Sequence, residues 1–270
     1  MRRAALAAVV FLATFAGLAF LALPVCSIFL RVSPGHLAAQ LGNPVVKDAL
    51  LVSLKTTLAA QALILALGTP TAFVLASRRF RGRSLLVTLV ELPLVLPPAV
   101  AGIGLLAAFG RTGLLHTSIP FTQAAVVLAV AFVASPLYVR AAIAAFEAVD
   151  SNLVAASRTL GAGPLRTFYR VVLPLARGGL VAGAALAFAR GLGEFGATIM
   201  FAGSLQKVTQ TLPLAIYAQF EVNLDVTLAI SALLVLISAA LLISLKLASL
   251  WPWQPSEQTS RSRFGLLTWS

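Results

Sequence analysis

Six apolar runs constrain the fold of this chain more than any other feature. They lie at about residues 4–30, 49–76, 85–109, 122–146, 178–201 and 226–250. A helix needs about 20 apolar residues to cross the hydrocarbon layer, whereas a barrel strand needs only about 10. Inside lipid every backbone N–H and C=O must be satisfied by the chain itself, which leaves helices for runs of this length. The fold expected is an all-α polytopic membrane protein, with six transmembrane helices in one domain, residues 1–250. The first run follows Arg2-Arg3 and outlasts a signal-peptide core, so it is expected to be retained. The single Cys26 excludes an internal disulfide framework and a cysteine metal site.

The charges set the orientation. A net charge of +12 suggests nucleic acid at first sight, but the basic residues are not gathered on one segment. Fourteen of the twenty lie in or beside the two termini and the alternate connections that share their side, against four on the other side and two, Lys55 and Arg190, within runs. The positive-inside rule therefore places residues 78–83, 147–176 and 251–270 in the cytoplasm, and residues 31–46, 110–121 and 203–222 outside. Both termini are then cytoplasmic. The tail, 251–270, has the composition of a poorly ordered segment.

Three runs carry more than apolar residues. The third holds Glu91 with Pro93, Pro97 and Pro98, so a continuous helix is not expected there. It either borders a pathway or carries a packing kink. The fifth has Gly179, Gly183, Ala187 and Gly191 at every fourth position, a stripe that admits another helix closely. Arg190 and Glu194, four residues apart, are expected to share a helical face and neutralise each other. That pair either lines or gates a pathway, with Gly193 and Thr198 beside it, or fixes helix packing. The sixth run, nearly all aliphatic, is expected to face lipid.

The chain lacks the G-x-x-x-x-G-K-[ST] phosphate loop, the H-E-x-x-H helix and any Ser/His/Asp arrangement. Uphill transport by such a chain would draw its energy from another polypeptide, and the chain itself is not expected to be an enzyme.

The longest polar interval runs from Asp150 to Pro174, DSNLVAASRTLGAGPLRTFYRVVLP. Asp150 or Ser151 can cap a helix, Leu153, Ala156 and Leu160 recur at helical spacing, and Gly161 followed by Pro164 can end it. A second short helical run, Arg166 to Leu173, meets Pro174, where the next apolar segment begins. A short helix with a small-residue surface between two spans has the geometry of a docking element.

These residues resemble the cytoplasmic loop of bacterial ABC importer permeases: Glu-Ala-Ala, three residues, Gly, nine residues, Ile, any residue, Leu-Pro. Ala155-Ala156-Ser157 stands at the triplet, Gly161 at the glycine, and Val171-Val172-Leu173-Pro174 completes the pattern. Ala155 replaces the family Glu, and Ser157 replaces an Ala. A finer resemblance, to the permease subunit of molybdate importers, lies in FARGLGEFGATIMFAG (188–203) and TQTLPLAIY (209–217), with GRTGLL (110–115) and FEAVD (146–150). Sulfate and tungstate relatives share the Gly193–Ala197 core, and Ser204–Val208 lacks the family's Asn-Ile-Pro-Gly pattern.

The resemblance implies a type I ABC importer permease of the bacterial plasma (inner) membrane. Two copies would form the pathway for molybdate, an extracytoplasmic oxyanion-binding protein would deliver it, and a cytoplasmic ATPase dimer would bind ATP and Mg. Asp150, Leu153, Ala155, Ala156, Ser157, Leu160, Gly161 and Pro174 would couple to that ATPase, and Arg190, Gly193, Glu194, Thr198 and Glu91 are the pathway or gate candidates. Membrane lipid is the remaining partner; no cofactor or metal is expected on this chain. Sulfate or tungstate is the alternative substrate, and an ion-coupled secondary carrier the alternative class.

Overall fold

The computed structural model describes residues 2–31 and 33–250, so the expectation for the 251–270 tail lies outside the described residues. The described chain is helical throughout its ordered elements: α1 (Arg2–Arg31), α2 (Pro34–Gln40), α3 (Pro44–Ser77), α4 (Arg83–Val95), α5 (Pro98–Phe109), α6 (Gln123–Glu147), α7 (Ser151–Thr159), α8 (Pro164–Thr167), α9 (Leu173–Leu192), α10 (Gly196–Ala202), α11 (Leu212–Gln219) and α12 (Leu224–Leu250). Among the described residues, five stretches are long and apolar enough to cross a membrane, and α4 with α5 form a bent pair that makes a sixth if the two are one broken span.

Local sequence accounts for several boundaries. Asn43 accepts a hydrogen bond from the Val45 N–H at 2.9 Å, and Pro44 opens α3 where its missing donor costs nothing. Thr122 caps α6 through the Ala125 N–H. Leu96 and Pro97 each precede a proline, which disfavours helical backbone. Both take extended ψ values, 134° and 132°, and the axis turns by 114° between α4 and α5.

The core is built on α6. It packs against α3 on one side and α9 on another, while α10 packs on α5 and α6. The small-residue stripe explains how closely α9 approaches. A Cβ built on Gly179 would stand 2.6 Å from the Ala145 side chain, and one on Gly183 would stand 2.6 Å from that of Ala141. Between α6 and α3, the Tyr138 and Thr69 hydroxyls meet at 2.6 Å. One end of this bundle is stapled by Arg83, whose Nε donates to the Leu75 carbonyl at 2.6 Å while Nη2 donates to Glu147 Oε1 at 2.5 Å. α1, by contrast, packs against α12 and is exposed along almost all of its described length.

The elements differ from the sequence expectation in four places. The fifth membrane helix runs from Pro164 to Leu192, beginning and ending earlier than 178–201. It is continuous through Pro174, where a π turn over Phe168–Val172 sends the Leu173 N–H to the Phe168 carbonyl and makes room for the proline ring. The connections at 31–46 and 203–222 contain α2 and α11. α12 is not simply lipid-facing: Val226, Ala229, Ile230 and Ala232 are buried, and Val226 and Ile230 pack with Leu212 and Ala215 of α11.

Candidate functional site

Two places carry the functional candidates, one at each end of the fifth membrane helix. At its beginning, Asp150 caps α7 by accepting from the Asn152 N–H at 2.8 Å. No residue of α7 is buried. Leu153, Ala155 and Ala156 are exposed, and Leu160 just beyond the helix is 88 % exposed. An apolar side chain left this open is an unpartnered contact in the single chain.

Gly161 ends the helix as the pattern predicts, with φ at +81°. Its N–H bonds to the Arg158 carbonyl and the Ala162 N–H to that of Ser157, each at 3.0 Å. These two bonds form a Schellman cap, whose positive φ favours glycine. Ser157 turns inward instead of outward. Its hydroxyl meets that of the buried Thr167 at 3.0 Å and donates to the Val154 carbonyl. The residue standing at the family's second alanine therefore ties α7 to α8. Pro174 is exposed in the first turn of α9.

From α8 the path leads into the bundle. The Phe168 ring, in the π turn, lies 4.7 Å from Phe73 of α3 and 6.2 Å from Phe146 of α6, and those two rings are 5.5 Å apart. Edge-on aromatic contacts of this kind add to the area they bury. Sequence reasoning did not single out these three phenylalanines, whose grouping depends on helices far apart in the chain.

At the other end, α9 stops at Leu192 and Gly193 leaves the helix with ψ near 9°. Glu194 is thus beyond α9, not inside a continuous span. Arg190 Nη1 nevertheless stands 2.7 Å from Glu194 Oε2. The guanidinium N–H groups are not aimed at that oxygen, which has no directed hydrogen bond, so the attraction is one of charge. Oε1 accepts from the Ala197 N–H at 2.8 Å and caps the start of α10. The Glu194 side chain is only 1 % exposed, whereas that of Arg190 is 35 % exposed. A carboxylate buried this far needs both the nearby cation and the backbone donor.

Thr198, on α10, is fully buried and its hydroxyl has no partner; the amide of Gln61 on α3 and the Thr211 hydroxyl are likewise unpartnered. The Thr209-Gln210-Thr211 segment is buried as well, and the Leu212 N–H donates to Ser53 of α3 at 2.7 Å. Glu91 does not join Arg190. It stands on α4 with Oε1 3.1 Å from Arg140 Nε of α6, and both side chains are partly open. Opposite charges in two neighbouring apolar runs were the available signal for this pair. The arrangement offers charge compensation and buried polar groups inside an apolar bundle.

Comparison with known proteins adds three findings. Residues 68–250 match the family described as binding-protein-dependent transport system inner membrane component. The molybdenum transport system permease protein of Mycobacterium tuberculosis is 45 % identical over 241 residues, covering 87 % of this chain and 91 % of the relative. A probable molybdenum ABC transporter permease protein of Haloferax volcanii is 39 % identical over 236 residues, 86 % of each chain. Among solved structures, the inward-facing methionine ABC transporter MetNI has a TM-score of 0.61 at 22 % identity, covering 76 % of this chain and 94 % of that one. At that identity the likeness is one of fold.

Proposed function

Because the chain belongs to the family of binding-protein-dependent transport system inner membrane components, a multi-pass membrane family, we propose that it is the permease subunit of an ATP-driven molybdate importer. The observation that carries this reading is the 45 % identity to a molybdenum permease across nearly the full length of both chains. Two copies enclose the pathway, and a binding protein delivers the oxyanion from outside. ATP and Mg are bound by a separate cytoplasmic ATPase, on which Leu153, Ala155, Ala156 and Leu160 rest. The exposed, apolar-tipped α7 supports that docking role, and the rings around Phe168 give its displacement a route into α3 and α6.

In this reading the orientation follows the basic residues, with Arg83, α7 and both termini on the cytoplasmic side. Glu194 would repel a divalent anion if it stood alone. Arg190 offsets that charge, and the partly open guanidinium leaves the net local field less hostile to oxyanions. The experiment is uptake of radiolabelled molybdate by proteoliposomes holding this chain with its ATPase and binding protein, with tungstate and sulfate as competitors. ATP-dependent uptake displaced by excess tungstate more readily than by sulfate is the expected result. Uptake that ignores ATP and follows an imposed proton gradient would replace the importer with a secondary carrier.

A further inference from the structure

The continuous helical stretch Pro164–Leu192 is 29 residues long. At 1.5 Å per residue this is about 43 Å, more than the hydrocarbon layer and about the thickness of a bilayer with its headgroups. In the orientation proposed above, its first two turns are the part that reaches the cytoplasmic headgroup layer. Arg166 and Arg170 stand there four residues apart, on one face, and both are exposed. Among the described residues neither is paired with a carboxylate. Together with Gly163, Pro164, Leu165 and Tyr169 they line an open pocket of about 480 Å³. Leu165 is 72 % exposed, and the exposed Tyr169 ring lies between the two arginines in sequence.

We propose that this pocket binds the headgroup of an anionic phospholipid. Each element of the pocket has a counterpart in such a lipid. A guanidinium presents a planar fork of donors that matches phosphate oxygens. Tyrosine suits the boundary between water and acyl chains. Pro164 and Leu165 give an apolar wall for the glycerol and the first methylenes. The anionic leaflet of a plasma membrane is the cytoplasmic one, so the proposal rests on the orientation given above. α7 lies beyond the Gly161 turn, which leaves it to a partner arriving from water while the pocket stays with the membrane-crossing helix.

The test titrates the purified full chain, without ATPase, with short-chain phosphatidylglycerol and reads bound lipid by native mass spectrometry. An arginine near a charged surface contributes about fivefold in affinity, so Arg166→Gln with Arg170→Gln is expected to weaken binding about thirtyfold. Each single variant loses about fivefold, which keeps the test open should the double variant misfold. Arg166→Lys with Arg170→Lys retains most of the binding, and phosphatidylcholine binds all variants alike. Unchanged phosphatidylglycerol affinity in the glutamine variants overturns the proposal. So does competition by glycerol phosphate at equal potency, which would mean a site for free phosphate. Gly161→Val is the control that separates the two readings: it disturbs ATPase association and leaves lipid binding intact.

Discussion

The fifth membrane helix is built differently at its two ends. At the end near α7 it begins with exposed residues, continues through a π turn and meets the bundle through aromatic rings. At the end near α10 it stops at a buried carboxylate held by an arginine and a backbone N–H. The first arrangement leaves surface for a partner and contacts that can slide. The second fixes one charge in one place, where any displacement costs solvation. Between them, the glycine stripe of α9, seated against α6, holds the helix as a rigid rod. A push at the open end is thus expected to move the rod against its fixed end.

The comparison breaks most severely at Glu194. Glu194→Ala leaves the partly open Arg190 without its partner and the buried Ala197 N–H without its acceptor, and a loss of about 1–3 kcal/mol is expected, chiefly from that N–H. Thermal unfolding of the detergent-purified chain checks this, and a melting temperature equal to wild type would show that the end is not fixed by charge. Removing both partners, Arg190→Ala with Glu194→Ala, should restore much of the yield while ATP-driven uptake stays low. Full uptake by that double variant would return both residues to packing.

The rod comes next. A Leu at Gly183 must force α9 off Ala141, and overpacking of this kind costs about 1–3 kcal/mol. Lower yield with unchanged insertion, read by size-exclusion chromatography, is the expected outcome.

At the open end, Gly161→Val places a β-branched residue at a φ of +81°. The strain is about 1–3 kcal/mol and confined to the loop. Pull-down of the ATPase should fall severalfold while the melting temperature stays close to wild type. Undiminished pull-down would remove α7 from the docking surface.

The smallest effect sharpens the contrast between ion pairs. Glu91 is 38 % exposed and its partner Arg140 61 % exposed, against 1 % for Glu194. Glu91→Gln should therefore cost no more than about 1 kcal/mol. A loss as large as that from Glu194→Ala would mean that exposure does not separate the two pairs.

Much of this was legible in the sequence. The apolar runs announced the membrane helices, and Pro97-Pro98 announced a broken one, because both signals are local. The Gly179–Gly191 stripe predicted a close helix contact but not that Ala141 and Ala145 would receive it, since pairing is settled only in three dimensions. The end of α9 was misplaced because four-residue spacing suggested a continuing helix. Three glycines within Gly191–Gly196 were the available breaker signal. The sequence marked Pro174 only as the start of the next apolar segment; the π turn and the burial of Val172 and Ala176, which join the two runs into one helix, depend on tertiary packing.

That π turn also sets a phase. One residue of helix corresponds to about 100° of azimuth. The turn thus fixes the compass direction in which α8 leaves relative to the glycine stripe on the same rod. Deleting one residue from Phe168–Val172 would only close the π turn as an α turn, whereas inserting one residue between Thr167 and Phe168 would swing Arg166, Thr167 and the attached α7 about 100° round the axis while leaving every contact of α9 with α6 in place. Substitutions in this stretch would alter stickiness, whereas such an insertion would alter heading. Disulfide trapping between α7 and the ATPase in the single-residue insertion variant would distinguish the two.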